Sequence, residues 1–106
     1  MTVTEKLAKL NKQLSLARAM INASDPRSGD AENRAATALI LRITGDIGLG
    51  HYDAAATCAT ELHRVIVRMQ KAWASGDSSA TGRALTQVET LAAEIEAELK
   101  QKAAGG

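Results

Sequence analysis

The side chains able to do chemistry are few, and their spacing keeps them apart. His51, His63 and Cys58 are the candidates for metal ligation or nucleophilic attack. His63 lies five residues after Cys58. On a helix that spacing puts the two on different faces, outside the i,i+4 register that pairs ligands. The chain holds neither an HExxH nor a CxxC spacing, the common zinc signatures. Cys58 has no basic neighbour in sequence to lower its pKa and reads as a buried structural thiol. No GxSxG elbow presents a serine. Glu89, Glu94, Glu96 and Glu98 read as a solvated face, and nothing pairs two of them as acid and base. Gly45, Gly48 and Gly50 spell GxxGxG, which is the wrong order for a dinucleotide fingerprint and closes a helix where that fingerprint follows a strand. No catalytic residue, cofactor or metal is therefore expected.

The elements that would hold these residues are set off by three breakers. "ASDPRSGD" (23–30), "GLGHYD" (48–53) and "ASGDSS" (74–79) carry turn chemistry. Between them the apolar residues recur with helical period, and no alternating β-branched run predicts a strand. Helices are expected over about 3–23, 31–48, 53–74 and 79–103, with a frayed tail from Ala103 to Gly106. Thr2 and Glu5 stand at capping-box spacing at the first start, Ser28 or Asp30 is placed to cap the second helix, and Ser78 or Ser79 begins the fourth. The first seam is Val3, Leu7, Leu10, Leu14, Ala17 and Ile21. The second is Ala36, Leu39, Ile40, Ile43 and Ile47. Its run "ATALILRI" is apolar on more than one face, which predicts a helix covered on both sides. Gly45 within it costs about 1 kcal/mol relative to alanine, acceptable where a glycine admits a close neighbour. The third seam is Tyr52, Ala55, Ala59, Leu62, Ile66, Met69 and Trp73, and the fourth is Leu85, Val88, Leu91, Ala92, Ile95 and Leu99. Glu96–Lys100 and Glu98–Lys102 are acid-before-base i,i+4 pairs. Four such helices joined by short connections make an all-α up-down bundle, a single domain over 1–106.

Composition bounds the partners. Thirteen basic and twelve acidic residues give a net charge of +1, which offers no long-range field to nucleic acid. Lys6, Lys9, Lys12 and Arg18 gather in the first helix without an aromatic platform, so they read as a solvated face and no nucleic acid is expected. One cysteine excludes an internal disulfide and fits a reducing, cytoplasmic setting. The charged N-terminus lacks a signal core, and no apolar run reaches the roughly 20 residues of a bilayer crossing. No membrane insertion is expected.

The join at 48–53 reads as a structural hinge. Gly48 and Gly50 end the second helix, Tyr52 packs over the turn, and Asp53 is available as an N-cap to the third. The same stretch resembles a known pattern. Tyr52, Asp53, Ala54 and Ala55, followed by Leu62 and then Trp73 and Gly76, are similar to the aromatic-Asp-Ala-Ala and Trp-x-x-Gly elements of the steroid receptor RNA activator family. That family includes the C-terminal helical domain of the large outer subunit of the COPII coat. The likeness covers residues 13–76, with "KQLSLARAM" and "RAATALILRI" as the upstream helices. Asp77, Ser78 and Ser79 depart from the family's basic Lys-Arg-Leu-Ile run, and the loop 23–30 is longer than its hairpin. The resemblance implies a helical, non-catalytic protein-binding domain used in coat assembly or transcriptional co-regulation.

Two partners are open for such a module: another protein, or a second copy joined through the narrow seam of the first helix to make a homodimer. A small helical inhibitor or antitoxin that covers a partner surface is the alternative, because the same helices would serve it. A bundle enzyme or metal protein would need several inward-facing histidines or carboxylates, where the seams are aliphatic. The terminal Gly105-Gly106 reads as an untethered tail.

Overall fold

The structure, a computed structural model, describes residues 1–24, 30–75 and 79–105. Four helices account for nearly all of them: α1 (Val3–Ser24), α2 (Asp30–Gly48), α3 (Tyr52–Ala74) and α4 (Ser79–Gly105). Each packs on its neighbour in sequence, α4 closes against α1, and the backbones of the diagonal pairs lie farther apart. This is the square order of an up-down four-helix bundle. It measures 44 × 20 × 19 Å, and its long axis is set by the 27 residues of α4 at a rise of about 1.5 Å each.

The seams meet as their spacing requires. Leu10, Leu14, Ile43, Leu62, Ile66, Leu85, Ile95 and Leu99 are the largest fully buried side chains, and Leu7, Ala55, Ala59, Met69, Trp73 and Val88 join the same core. At roughly 1.5–3 kcal/mol for each large aliphatic side chain taken from water, this cluster supplies the main force for folding. At the first helix start the Thr2 hydroxyl accepts the Glu5 amide at 3.2 Å, while Lys6 N–H reaches the Thr2 carbonyl at 3.0 Å. Both contacts satisfy polar groups that a helix start leaves open.

Several expectations need correction, three of them on α2. Leu39 and Ile47 only half-bury against the core, since they sit at the margins of the α2 stripe. The second apolar face of α2 has no covering neighbour, and Leu41 is 68% exposed. Gly45 admits no close helix: a Cβ built there meets nothing within 4 Å. The expected fray at Ala103 is absent, and α4 runs on to Gly105. Glu98 does not pair with Lys102. It bonds to Lys6 on α1, and Lys102 instead lies 5.4 Å from the Tyr52 ring centroid. The α1 seam is buried inside the bundle from Val3 to Ile21, so it is not free to join a second copy. Of the expected cap residues, Ser28 and Ser78 lie outside the described residues, as does most of the 23–30 breaker.

Candidate protein-binding face between α1 and α2

The hinge has a definite geometry. Gly50 carries φ +78°, the left-handed conformation that glycine adopts without a Cβ penalty. Its N–H donates to the Ile47 carbonyl at 3.0 Å, and the His51 N–H donates to the Asp46 carbonyl at 2.8 Å. These two bonds form the Schellman closure of α2. Gly48 is the last helical residue and Tyr52 the first of α3, half-buried against the core. Asp53 is not the N-cap. That position falls to His51, which makes no side-chain capping bond, and Asp53 lies in the first turn, where its charge complements the helix dipole. The hinge reverses the chain and brings α3 alongside α2.

The chemistry-bearing residues are placed apart. Cys58 is buried on α3. Burial pushes its thiol up from the ordinary range; Asp46 and Glu61 add to the rise, and Arg42 opposes it. His63 is half-buried between α3 and α4, with Nε2 3.7 Å from Glu89 Oε1, too long for a hydrogen bond. His51 is exposed at the far end. The glutamates of α4 are more engaged than a purely solvated face. Glu96 bonds Lys100 at 2.7 Å, and this bond, aided by the Thr60 hydroxyl and against burial, lowers its pKa. Glu98 bonds Lys6, and Glu94 stands 3.8 Å from the same ammonium. The Glu98 hydrogen bond, reinforced by the charges of both glutamates and opposed by partial burial, raises the Lys6 pKa. These contacts tie α1 to α4. Among the described residues no three His, Cys, Asp or Glu side chains converge as a metal site.

The open side of the bundle is the seam between α1 and α2, the slimmest of its four helix contacts. A groove of about 530 Å³ runs there, walled by Leu7, Ala8 and Asn11 from α1 and by Ile40, Leu41 and Ile47 from α2. Small residues on the facing edges, Thr4 and Ala8 against Thr44 and Gly48, explain why the helices leave this space. The Thr37 and Thr44 hydroxyls donate to the carbonyls of Asn33 and Ile40, both at 2.9 Å. With those hydroxyls committed to their own helix, the groove wall is mostly carbon. A second hollow of about 380 Å³, lined by Arg18, Asn33, Arg34 and Ala38, shares Thr37 and Leu41 with the first. The two adjoin at Thr37 and Leu41, and together they make up the trough. Among the described residues no acidic residue lines either part.

The basic end of the trough holds an unusual side chain. Asn33 is 2% exposed, and neither its amide nitrogen nor its amide oxygen has a hydrogen-bond partner. Arg18 donates to the Thr37 hydroxyl through one terminal nitrogen, while its buried Nε has no partner. Sequence reasoning missed Asn33. The signal was present, because Asn33 stands three residues before Ala36 and seven before Ile40, placing a polar residue on the buried stripe. Arg18 was read as part of a solvated face and is instead half-buried.

Comparison with known proteins gives no match to a protein family, a curated protein or a solved structure. Of the elements that carried the family resemblance, Tyr52 to Ala55 stand at the α2–α3 join and Trp73 is buried near the end of α3, whereas Gly76 lies outside the described residues.

Proposed function

We propose that this chain is a non-enzymatic helical module that binds another protein through the α1/α2 face. The observation that carries the reading is the apolar trough between α1 and α2, whose wall is richer in carbon than the hollows on the other helix seams, with Leu41 standing out of it. Three of the four neighbouring helix pairs are packed more extensively, so the α1/α2 seam is where a further element finds apolar wall to cover. The placement of Cys58, His63 and the α4 glutamates supports the same reading. They serve packing and helix-to-helix ties, and they surround no common cleft. An adaptor in coat assembly or co-regulation is the finer form suggested by the Tyr52–Ala55 element.

The test is affinity purification of the tagged chain from its own cells, followed by reconstitution of the complex from purified components. A stoichiometric partner that is lost on Leu41→Gln and kept on Ala93→Gln is the expected result. Ala93 is exposed on α4 and provides the control face. A partner equally retained by both variants would refute the assignment of this face, and a turnover activity dependent on His63 or Cys58 would refute the non-enzymatic reading.

A further inference from the structure

The trough also specifies what should lie in it. We infer that its occupant is a partner helix whose apolar stripe ends in an aspartate or glutamate, and that this carboxylate is received by Asn33 and Arg18. The inference rests on the protein-binding reading and adds the chemistry of the partner.

Shape decides the backbone of the occupant. α1 and α2 use their own amides and carbonyls internally, and no strand occurs among the described residues. An extended peptide therefore finds no sheet edge to extend, which leaves the helix-in-groove mode for a segment seated between two helices. From Thr4 to Arg18 the trough follows fourteen steps of α1, about 21 Å at the helical rise. A helix of four turns spans it.

Charge decides the end group. The half-buried Arg18 guanidinium brings positive charge to this end of the trough, and behind it the enclosed Asn33 amide and Arg18 Nε are donors without partners. A buried donor without a partner is unfavourable in the free protein, and a carboxylate is the common acceptor that takes two such bonds with charge assistance. The apolar length of the trough excludes a phosphate-rich ligand, whose charges would lie against Leu7, Ile40 and Leu41. A second copy of this chain fits poorly as well. Among the described residues the trough contains no carboxylate, so a second copy joined through this face offers none to Arg18.

The experiment is a titration of the isotopically labelled full chain, followed by amide NMR, with a synthetic amphipathic peptide of about 16 residues, four helical turns. Its leucines stand at i, i+4, i+7 and i+11, and a single glutamate follows one turn later, with alanine and glutamine elsewhere. Shifts are expected at Ala8, Thr37, Leu41 and Thr44. Replacing the peptide glutamate by glutamine should weaken binding about tenfold, the usual effect of losing a charge-assisted bond. Arg18→Gln in the protein should weaken it equally, and combining the two changes should give no further loss. Leu41→Gln, an exposed change that leaves the fold intact, should also cost about tenfold. Shifts confined to α3 and α4, equal affinity for the glutamate and glutamine peptides, or no shift at all would each overturn the inference. The co-purification experiment is independent of the designed peptide, so a partner retained there while this peptide fails condemns the proposed occupant and leaves the binding role standing.

Discussion

Asn33→Leu gives the sharpest energetic test. The native side chain is enclosed, with both amide atoms unpartnered. An unsatisfied buried polar group costs about 1–3 kcal/mol. Leucine removes that penalty and adds apolar surface to the stripe of Ala36, Ile40 and Ile43. Leucine is larger than asparagine, and overpacking a closed core costs about 1–3 kcal/mol. Here the adjoining hollow of about 380 Å³ gives the added volume somewhere to go, so the strain is small. The expected gain is about 1–3 kcal/mol, and each kcal/mol raises the Tm of a chain of this size by roughly 4–8 °C. Urea unfolding followed by circular dichroism, with the slope checked for constancy, measures it directly. The same variant should lose the glutamate preference of the peptide described above, so stability rises as recognition falls. A variant destabilised by 1 kcal/mol or more would refute the reasoning, because it would mean that the Asn33 amide is satisfied in the free protein.

The remaining predictions address other parts of the account. Gly45→Ala should stabilise by about 1 kcal/mol, because the added methyl meets nothing within 4 Å, whereas Gly50→Ala at φ +78° should destabilise by about 1–2 kcal/mol; paired urea melts read both signs. Cys58, buried and with its thiol pushed up by burial, should react with a disulfide reagent at neutral pH only as fast as the native fold opens, and a labelling rate unchanged by stabilising Gly45→Ala would contradict this. Lys6 has a raised folded-state pKa, so its tie to Glu98 is fully present below the ordinary lysine value of about 10.4 and is lost as pH rises through the folded value. The stability difference between the natural chain and Lys6→Met should therefore shrink on the alkaline side, and a difference independent of pH would contradict the tie.

Much of the fold was legible because burial period and breakers agree. The 4-3 spacing from Val3 to Ile21 and the matching stripe from Ala55 to Trp73 fixed two helix faces before any contact was known. What was illegible has a common cause. A seam states which face is apolar but not whether a neighbour covers it, so Leu41, Leu39 and Gly45 on α2 were assigned a covering that the structure lacks. Pairing across helices is invisible to a single helix register, which is why Glu98 was matched with Lys102 when Lys6 on α1 takes it. The candidate site depends on such cross-helix facts. Arg18 and Asn33 lie fifteen residues apart in the chain and meet only when α1 and α2 fold side by side. The signal within the sequence was asparagine on an apolar stripe, where packing alone would place an aliphatic residue.

Photo-crosslinking from inside the cell tests the central claim most directly. A benzophenone amino acid is introduced singly at exposed positions around the bundle, including Ala8, Leu41 and Thr44 on the α1/α2 face and Thr57, Arg64, Ala93 and Lys100 on the α3/α4 side. Each adduct is then sequenced by mass spectrometry. The account predicts adducts from the first group, each mapping to a helical segment with apolar residues three and four apart and a carboxylate at one end. Adducts raised only from the second group, or joining two copies of this chain, would contradict it.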